Sequence, residues 1–255
     1  MKIHYKTPSE IATLKQGGAY HNELLLLIYD HAKAGVRLIE LEKIAHDYLI
    51  AHKLKSAFKG YQGYPAQICL SVNNCLVHGI PDQYELKDGD VLKIDIGLTY
   101  QGMVTDAAIG KIIGGHSKNP SGAKLMRATK QALDESLALI KPGVSFMEYG
   151  RRVEQFIKSK GYSVVRSLTG HAVGKSVHED PRVANYADHR LRNVYFKPGM
   201  VLALEPIIAE KSDNYITHPN KRNLLTKHGD LGAQREYTIV VTQTGYEVLA
   251  GVESV

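Results

Sequence analysis

The 255-residue chain contains no tryptophan, four phenylalanines and two cysteines. Cys69 and Cys75 stand six apart and match neither a CxxC nor a zinc-ribbon spacing. A disulfide-stapled scaffold and a cysteine-built metal knuckle are therefore not expected, and a reducing compartment is. Long apolar runs are also missing. No stretch approaches the ~18 uncharged apolar residues of a membrane span, and "MKIHYKTPSE" lacks the apolar centre of a signal peptide. The longest apolar patch, "LLLLIY" (Leu24–Tyr29), is flanked by charges and suits a buried helix face. Like-charged blocks are absent too. Lys+Arg outnumber Asp+Glu by 32 to 26, a net +6, but the charges are scattered. That argues for a solvated basic surface, with ribosome docking as the one nucleic-acid-related partner it leaves, and against sequence-specific nucleic-acid binding. No GxGxxG occurs, and "GHAVGKS" falls one residue short of a P-loop, because Gly170 and Gly174 enclose three residues instead of four. The absences describe a cytoplasmic protein with neither membrane nor nucleotide business, expected as a monomer.

What is present is an ordinary globular composition, 44% hydrophobic, with no Pro/Ser-rich linker to divide it. One domain over residues 1–255 is expected. A first helix should open at "TPSE", with Thr7 as cap, Pro8 at the first helical position and Glu10 closing a capping box. It should reach Lys33, with Gly17-Gly18 as its weak point. Further helices are expected at "LIELEKIAHDYLIAHK", "GAKLMRATKQALDESLALI" and "SFMEYGRRVEQFIKSKG". Strand-rich stretches cover Ile68–His78, Val91–Gly115, Val164–Gly170, Met200–Ile208 and Arg235–Leu249.

The halves resemble one another. "AGVRLIELEKIAHDYLI" (Ala34–Ile50) matches "PGVSFMEYGRRVEQFIK" (Pro142–Lys158), with Gly35, Val36 and Glu40 recurring as Gly143, Val144 and Glu148. "LKDGDVLKIDI" matches "FKPGMVLALEP", which sets Asp95 against Glu205. Two halves, approximately 1–115 and 116–255, would pack about a pseudo-twofold axis and bring those carboxylates together.

Acids in such strands need a reason, since burying an unpaired carboxylate costs far more than adjacent isoleucines return. In "KIDIGLTYQGMVTDAAIG" a two-residue turn at Gln101-Gly102 would put Asp95 and Asp106 on one sheet face, with Asp106 opposite Gly97. A one-residue change of loop would separate them. Glu205 in "VLALEPII" and Glu236 in "GAQREYTIVV" repeat the pattern. Four carboxylates cannot face each other ionised without shared protons or cations. His171, placed just past an expected strand "SVVRSL", argues for cations: four carboxylates and an imidazole suit two divalent first-row metals.

"YQGYPAQICLSVNNCLVHGIPD", "GDVLKIDIG", "TGHAVGKSVHEDP", "KPGMVLALEP" and "AQREYTIVVTQTGYEVL" occur in that order between Tyr61 and Leu249, within a likeness that spans Thr7 to Leu249. Together they resemble the type I methionine aminopeptidases, metallopeptidases of the pita-bread fold. The resemblance implies an α+β fold of two related halves, with a curved antiparallel sheet covered by helices. It also implies five metal ligands, Asp95, Asp106, His171, Glu205 and Glu236, holding two divalent ions (Co, Mn, Fe, Zn or Ni). Asp106 and Glu236 would bridge. The implied reaction removes the N-terminal methionine from nascent proteins and peptides, with a metal-activated water attacking the first peptide bond and Glu205 taking its proton. His78 and His178 would contact substrate and stabilise the tetrahedral intermediate, while Tyr61, Tyr64 and Cys69 would line the pocket. The chain departs from the family pattern in lacking the pocket tryptophan before the last ligand strand, where it reads "HPNKRNLLTKHGD". Val177 replaces the aromatic before the second histidine. Two other readings share the fold: an Xaa-Pro aminopeptidase or dipeptidase, which also carries "VHEDP" and Asp-Xaa-Gly, and a metal-free binding module.

Overall fold

A computed structural model describes residues 3–252. Its first helix, α1 (Pro8–His31), opens with the expected box: Thr7 Oγ1 accepts the N–H of Glu10, and the Glu10 carboxylate accepts the N–H of Thr7. The helix runs unbroken through Gly17-Gly18. A Cβ on Gly18 would lie 1.7 Å from the Leu249 carbonyl oxygen, and one on Gly17 would lie 3.0 Å from Tyr100 Cβ. These glycines therefore let α1 lie directly on the strands. The closeness of that contact offsets the ~1 kcal/mol of helix propensity each one costs. The other helices are α2 (Leu38–Ala51), α3 (Pro120–Leu137) and α4 (Phe146–Ser159).

The first half contributes β1 (Lys55–Ser56), β2 (Cys69–Val72), β3 (Cys75–Val77), β4 (Val91–Tyr100) and β5 (Met103–Ile112). The second contributes β6 (Ser163–Val164), β7 (Thr169–Ala172), β8 (Glu179–Ala184), β9 (Val201–Leu204) and β10 (Ile207–Ala209). It continues with β11 (Tyr215–Thr217), β12 (Leu224–Thr226), β13 (Gly232–Gln234), β14 (Tyr237–Val241) and β15 (Tyr246–Ala250). One antiparallel sheet centres on β4, paired with β1, β2 and β5; another runs β15-β14-β9-β7-β8. Helices α1 and α2 bury Leu24, Ile28 and Leu41 against Ile68, Ile94 and Ile109, while α3 and α4 bury Leu133, Tyr149 and Val153 against Leu202, Val183 and Ile239.

The two halves repeat the same local wiring. Gly35 and Gly143 both adopt positive φ (88° and 90°), and their N–H groups bond to the carbonyls of Leu86 and Phe196. Leu86 and Phe196 return bonds to Val36 and Val144, and at the start of both following helices a glutamate, Glu40 or Glu148, accepts the N–H of the cap residue, Arg37 or Ser145. The sequence repeat is thus a repeat of how each second helix is tied to the turn before the Gly-Xaa-Val-Leu strand, β4 or β9. Residues 1–2 and 253–255 of the expected single unit lie outside the described residues.

The expectations need amendment, since β1, β8, β11, β12 and β13 lie outside the stretches expected to be strand-rich. His171 lies inside β7 and not beyond a strand; of "SVVRSL" only Ser163–Val164 is extended. The strand β8 was not expected from "EDPRVA", with its proline and charges. It forms the edge of the five-stranded sheet, which is where a residue without an N–H belongs.

Candidate metal centre and substrate pocket

Tyr100 pairs with Met103 across a Gln101-Gly102 turn whose φ values are 47° and 79°, the two-residue hairpin turn with both central residues left-handed. The register follows: Gly97 faces Asp106 and Asp95 faces Ala108, so the two aspartates share a face. Gly97 makes room for Phe58, whose ring atom Cε1 would lie 2.5 Å from a Cβ there.

The second pair arrives by a seam. The backbones of Ala108 and Glu236 exchange hydrogen bonds (3.3 and 3.0 Å), which stitches β5 to the segment entering β14. Asp106 N–H donates to Thr238 Oγ1 at 2.9 Å, and that hydroxyl donates to the Asp106 carbonyl at 2.6 Å. Gln234, on the same alternating face, donates from Nε2 to Asp95 Oδ2 (3.2 Å) and to Glu205 Oε2 (3.3 Å). The carboxylates that the repeat aligned thus share one amide. His171 Nε2 completes the cluster, 3.5 Å from Glu205 Oε1 and 3.8 Å from Asp106 Oδ2. Ligand atoms of Asp106, His171 and Glu236 lie within 4.8 Å of one another.

Asp95, Asp106 and Glu236 are 6%, 3% and 1% exposed. Among the described residues none of the four acids forms an ion pair with a lysine or arginine, and Asp95 Oδ1, Asp106 Oδ1 and Glu236 Oε1 have no hydrogen-bond partner. Without cations their protons are held tightly. Burial raises Asp95 to about 7, and burial together with the neighbouring acids pushes Asp106, Glu205 and Glu236 well above the usual carboxylate range. His171 Nδ1 lies 3.1 Å from the Ala172 carbonyl, which can only accept, so Nδ1 carries the proton and the Nε2 lone pair faces the acids. Burial, then the adjacent His178, holds this imidazole neutral. Carboxylate oxygens and an imidazole lone pair converging without a cationic partner fit divalent first-row cations.

The five groups floor a cavity of about 110 Å³, against the ~10–15 Å³ one water needs. Tyr64, Cys69, Phe58 and Val77 form its apolar side. Tyr64 donates its hydroxyl to the Gly79 carbonyl at 2.9 Å, and Cys69 is a buried free thiol, its pKa pushed up by burial and then by Asp95. His178 packs edge-on against His171, with ring centres 4.3 Å apart, and its Nδ1 lies 3.1 Å from the Tyr61 hydroxyl. Burial, then Arg182 and His78, lowers its pKa to about 4. His78, in a left-handed conformation (φ 59°), lines the cavity with its side chain partly open to solvent, and the protein packed around it and then the charge of Arg222 lower its pKa. Val177 is buried with Met103 and Val104 and is not part of the wall.

The matching family model, metallopeptidase family M24, spans residues 12–243. The chain belongs to this family. Among M24 relatives it is 38% identical over 251 residues to the methionine aminopeptidase of Escherichia coli K12, covering 98% of this chain and 94% of that one. It is 35% identical to methionine aminopeptidase 1 of Bacillus subtilis, covering 97% of this chain and 98% of that one. The methionine aminopeptidase structure from Thermotoga maritima superposes with TM-score 0.93 at 32% identity, over 98% of this chain and 100% of that one. A Pyrococcus furiosus prolidase, at 20% identity and TM-score 0.78 over 97% of this chain and 65% of that one, shares the M24 fold.

Gln234, Thr238 and Arg222 were not picked out by sequence reasoning. The first two had a signal: residues 234, 236 and 238 alternate through the extended run from β13 into β14, so a candidate ligand at 236 marks both neighbours as facing the same site.

Proposed function

We propose that this M24 chain is a single catalytic unit that removes the N-terminal methionine from peptides and nascent proteins in the cytoplasm, using two divalent ions. One observation carries the proposal: four acids and one imidazole lone pair, distant in sequence, converge without cationic partners on the floor of a half-apolar pocket. Asp95, Asp106, His171, Glu205 and Glu236 would hold the ions. Bound there, the ions supply Lewis acidity toward the scissile carbonyl and lower the pKa of water.

The chain's own groups do the rest. Glu205, its side chain 12% exposed and its Oε2 fixed by Gln234, is the acid open enough to take a proton from the attacking water and return it to the leaving amine. The Tyr61 hydroxyl lies 3.1 Å from His178 Nδ1; with that hydroxyl as the donor, Nε2 would carry the ring proton and serve as a neutral donor for charge developing on the carbonyl oxygen. His78 supplies a second neutral imidazole at the wall. Its left-handed backbone is the kind of strain that persists where the surroundings over-determine a side chain's aim. Tyr64 and Cys69 give the departing side chain an apolar seat.

The test is methionine release from Met-Ala and Met-Gly peptides by chelated protein reconstituted with Mn(II), Co(II) or Fe(II). Turnover with metal and none without it is expected. Preference for Xaa-Pro peptides, or no turnover with any metal, would overturn the reading.

A further inference from the structure

The hairpin loop between β11 and β12, "HPNKRN", ends against the substrate wall. It is a stiff loop. The Asn220 carboxamide oxygen accepts the N–H groups of Arg222 and Asn223, both at 3.0 Å, and Asn220 Nδ2 donates to Asn223 Oδ1. Asn223 Oδ1 also accepts the N–H of Ile80 at 3.1 Å, tying the loop to the segment just after His78. Pairing of Leu224 with Val77 fixes the register of that junction.

Arg222 lines the cavity beside Gln62 and His78. Its guanidinium reaches over the Gly60–Gly63 turn, where a Cβ on Gly63 would lie 3.0 Å from one of its terminal nitrogens. The residue is half-buried, and among the described residues its guanidinium meets no carboxylate and donates no hydrogen bond. A guanidinium held at a pocket wall with its donors unspent is set up to bind an anion, most strongly a planar carboxylate in two parallel hydrogen bonds. The acids of the floor do not serve it, being committed to cations on the reading above. Any carboxylate that meets Arg222 therefore comes with the substrate. Since the apolar side takes the released side chain, that carboxylate lies downstream of the cleaved bond.

We infer that Arg222 is a specificity-determining residue that selects peptides carrying a carboxylate shortly after the scissile bond. The carboxylate is either an acidic side chain at the third residue or the C-terminus of a short peptide. The inference rests on the aminopeptidase reading, and its test is separable from that reading.

The measurement is kcat/KM of the metal-loaded enzyme for Met-Ala-Asp-Ala-amide, Met-Ala-Asn-Ala-amide, Met-Ala-Ala and Met-Ala-Ala-amide, in the wild type, Arg222→Gln and Arg222→Lys. The wild type is expected to favour the aspartate peptide over the asparagine peptide about tenfold, largely through KM, as one charge-assisted contact would give. Arg222→Gln removes the preference, read as the aspartate-to-asparagine ratio of kcat/KM within that variant; Arg222→Lys keeps part of it. The free-acid and amide tripeptides report whether a terminal carboxylate serves as well as a side chain. Equal rates on aspartate and asparagine peptides in the wild type, with no gain from the free C-terminus, or a preference that survives Arg222→Gln, would overturn the inference. If no peptide is turned over, the aminopeptidase reading fails. Calorimetric affinities of the same peptides then decide Arg222: tighter binding of the carboxylate peptides, lost in Arg222→Gln, supports it, and equal affinities refute it.

Discussion

Thr238 and Asp106 lock to each other in both directions: the Asp106 N–H donates to the threonine hydroxyl, and the hydroxyl donates to the Asp106 carbonyl. The pair sits where the two halves meet, one bridge away from the Ala108–Glu236 backbone exchange. It fixes the relative height of two acids that arrive on strands from different halves. Thr238→Val keeps the shape and deletes both bonds, leaving a buried N–H and carbonyl unpaired, a loss of roughly 2 kcal/mol. The rise in Tm on adding Mn(II) to chelated protein should shrink in Thr238→Val and persist in Thr238→Ser. An undiminished rise in the valine variant would mean the seam does not set the ligand geometry.

Tyr61 is both pocket wall and the group that orients His178. Tyr61→Phe keeps the ring and removes the hydroxyl. We expect kcat on a Met-Ala peptide to fall by about tenfold, a typical cost of losing a group that orients another, with metal content unchanged. A variant that raised KM alone would make Tyr61 a wall residue only.

The loop bearing His178 is pinned from the N-terminal segment. Lys6 Nζ lies 2.6 Å from Glu179 Oε2, with the two side chains 0% and 8% exposed, while Glu179 Oε1 accepts the N–H of Lys175. Removing one partner of a buried pair strands the other, at ~3–5 kcal/mol. Urea unfolding of Lys6→Met should show a loss of that order; a change indistinguishable from zero would show that the backbone donors alone satisfy Glu179.

His21 is wholly buried on the inner face of α1, with Nδ1 2.8 Å from Thr105 Oγ1. Burial lowers its pKa from 6.5 to about 3. The folded form is the poorer proton binder, so its contribution is intact above the unfolded value near 6.5 and is lost as pH falls toward 3. In metal-loaded protein, wild-type stability should fall by up to ~1.4 kcal/mol per pH unit from this residue in that window. His21→Gln should lack that component, so the two stability profiles converge on acidification. Parallel profiles would contradict it.

The hairpin of Asp95 and Asp106 was readable because a two-residue turn and strict alternation leave one register. The acids in β4, just past β9 and on the approach to β14 were readable because they interrupt runs that are otherwise largely apolar and β-branched. Gly17-Gly18 misled, since helix propensity sees their cost but not the Leu249 carbonyl they accommodate. Strand β8 was hidden by Pro181, whose edge position only the assembled sheet reveals. Arg222 was illegible for a different reason: a basic residue in a polar loop looks like ordinary surface until the pairing of β12 with β3 brings it to His78.

The convergence of the five donors is tested most directly by calorimetric titration of Mn(II) or Co(II) into chelated wild type and Asp106→Ala. Two equivalents in the wild type, with the binding abolished or reduced to one weak equivalent in the variant, is the predicted result. No binding to the wild type, or identical isotherms for both proteins, would contradict a dinuclear centre at this site.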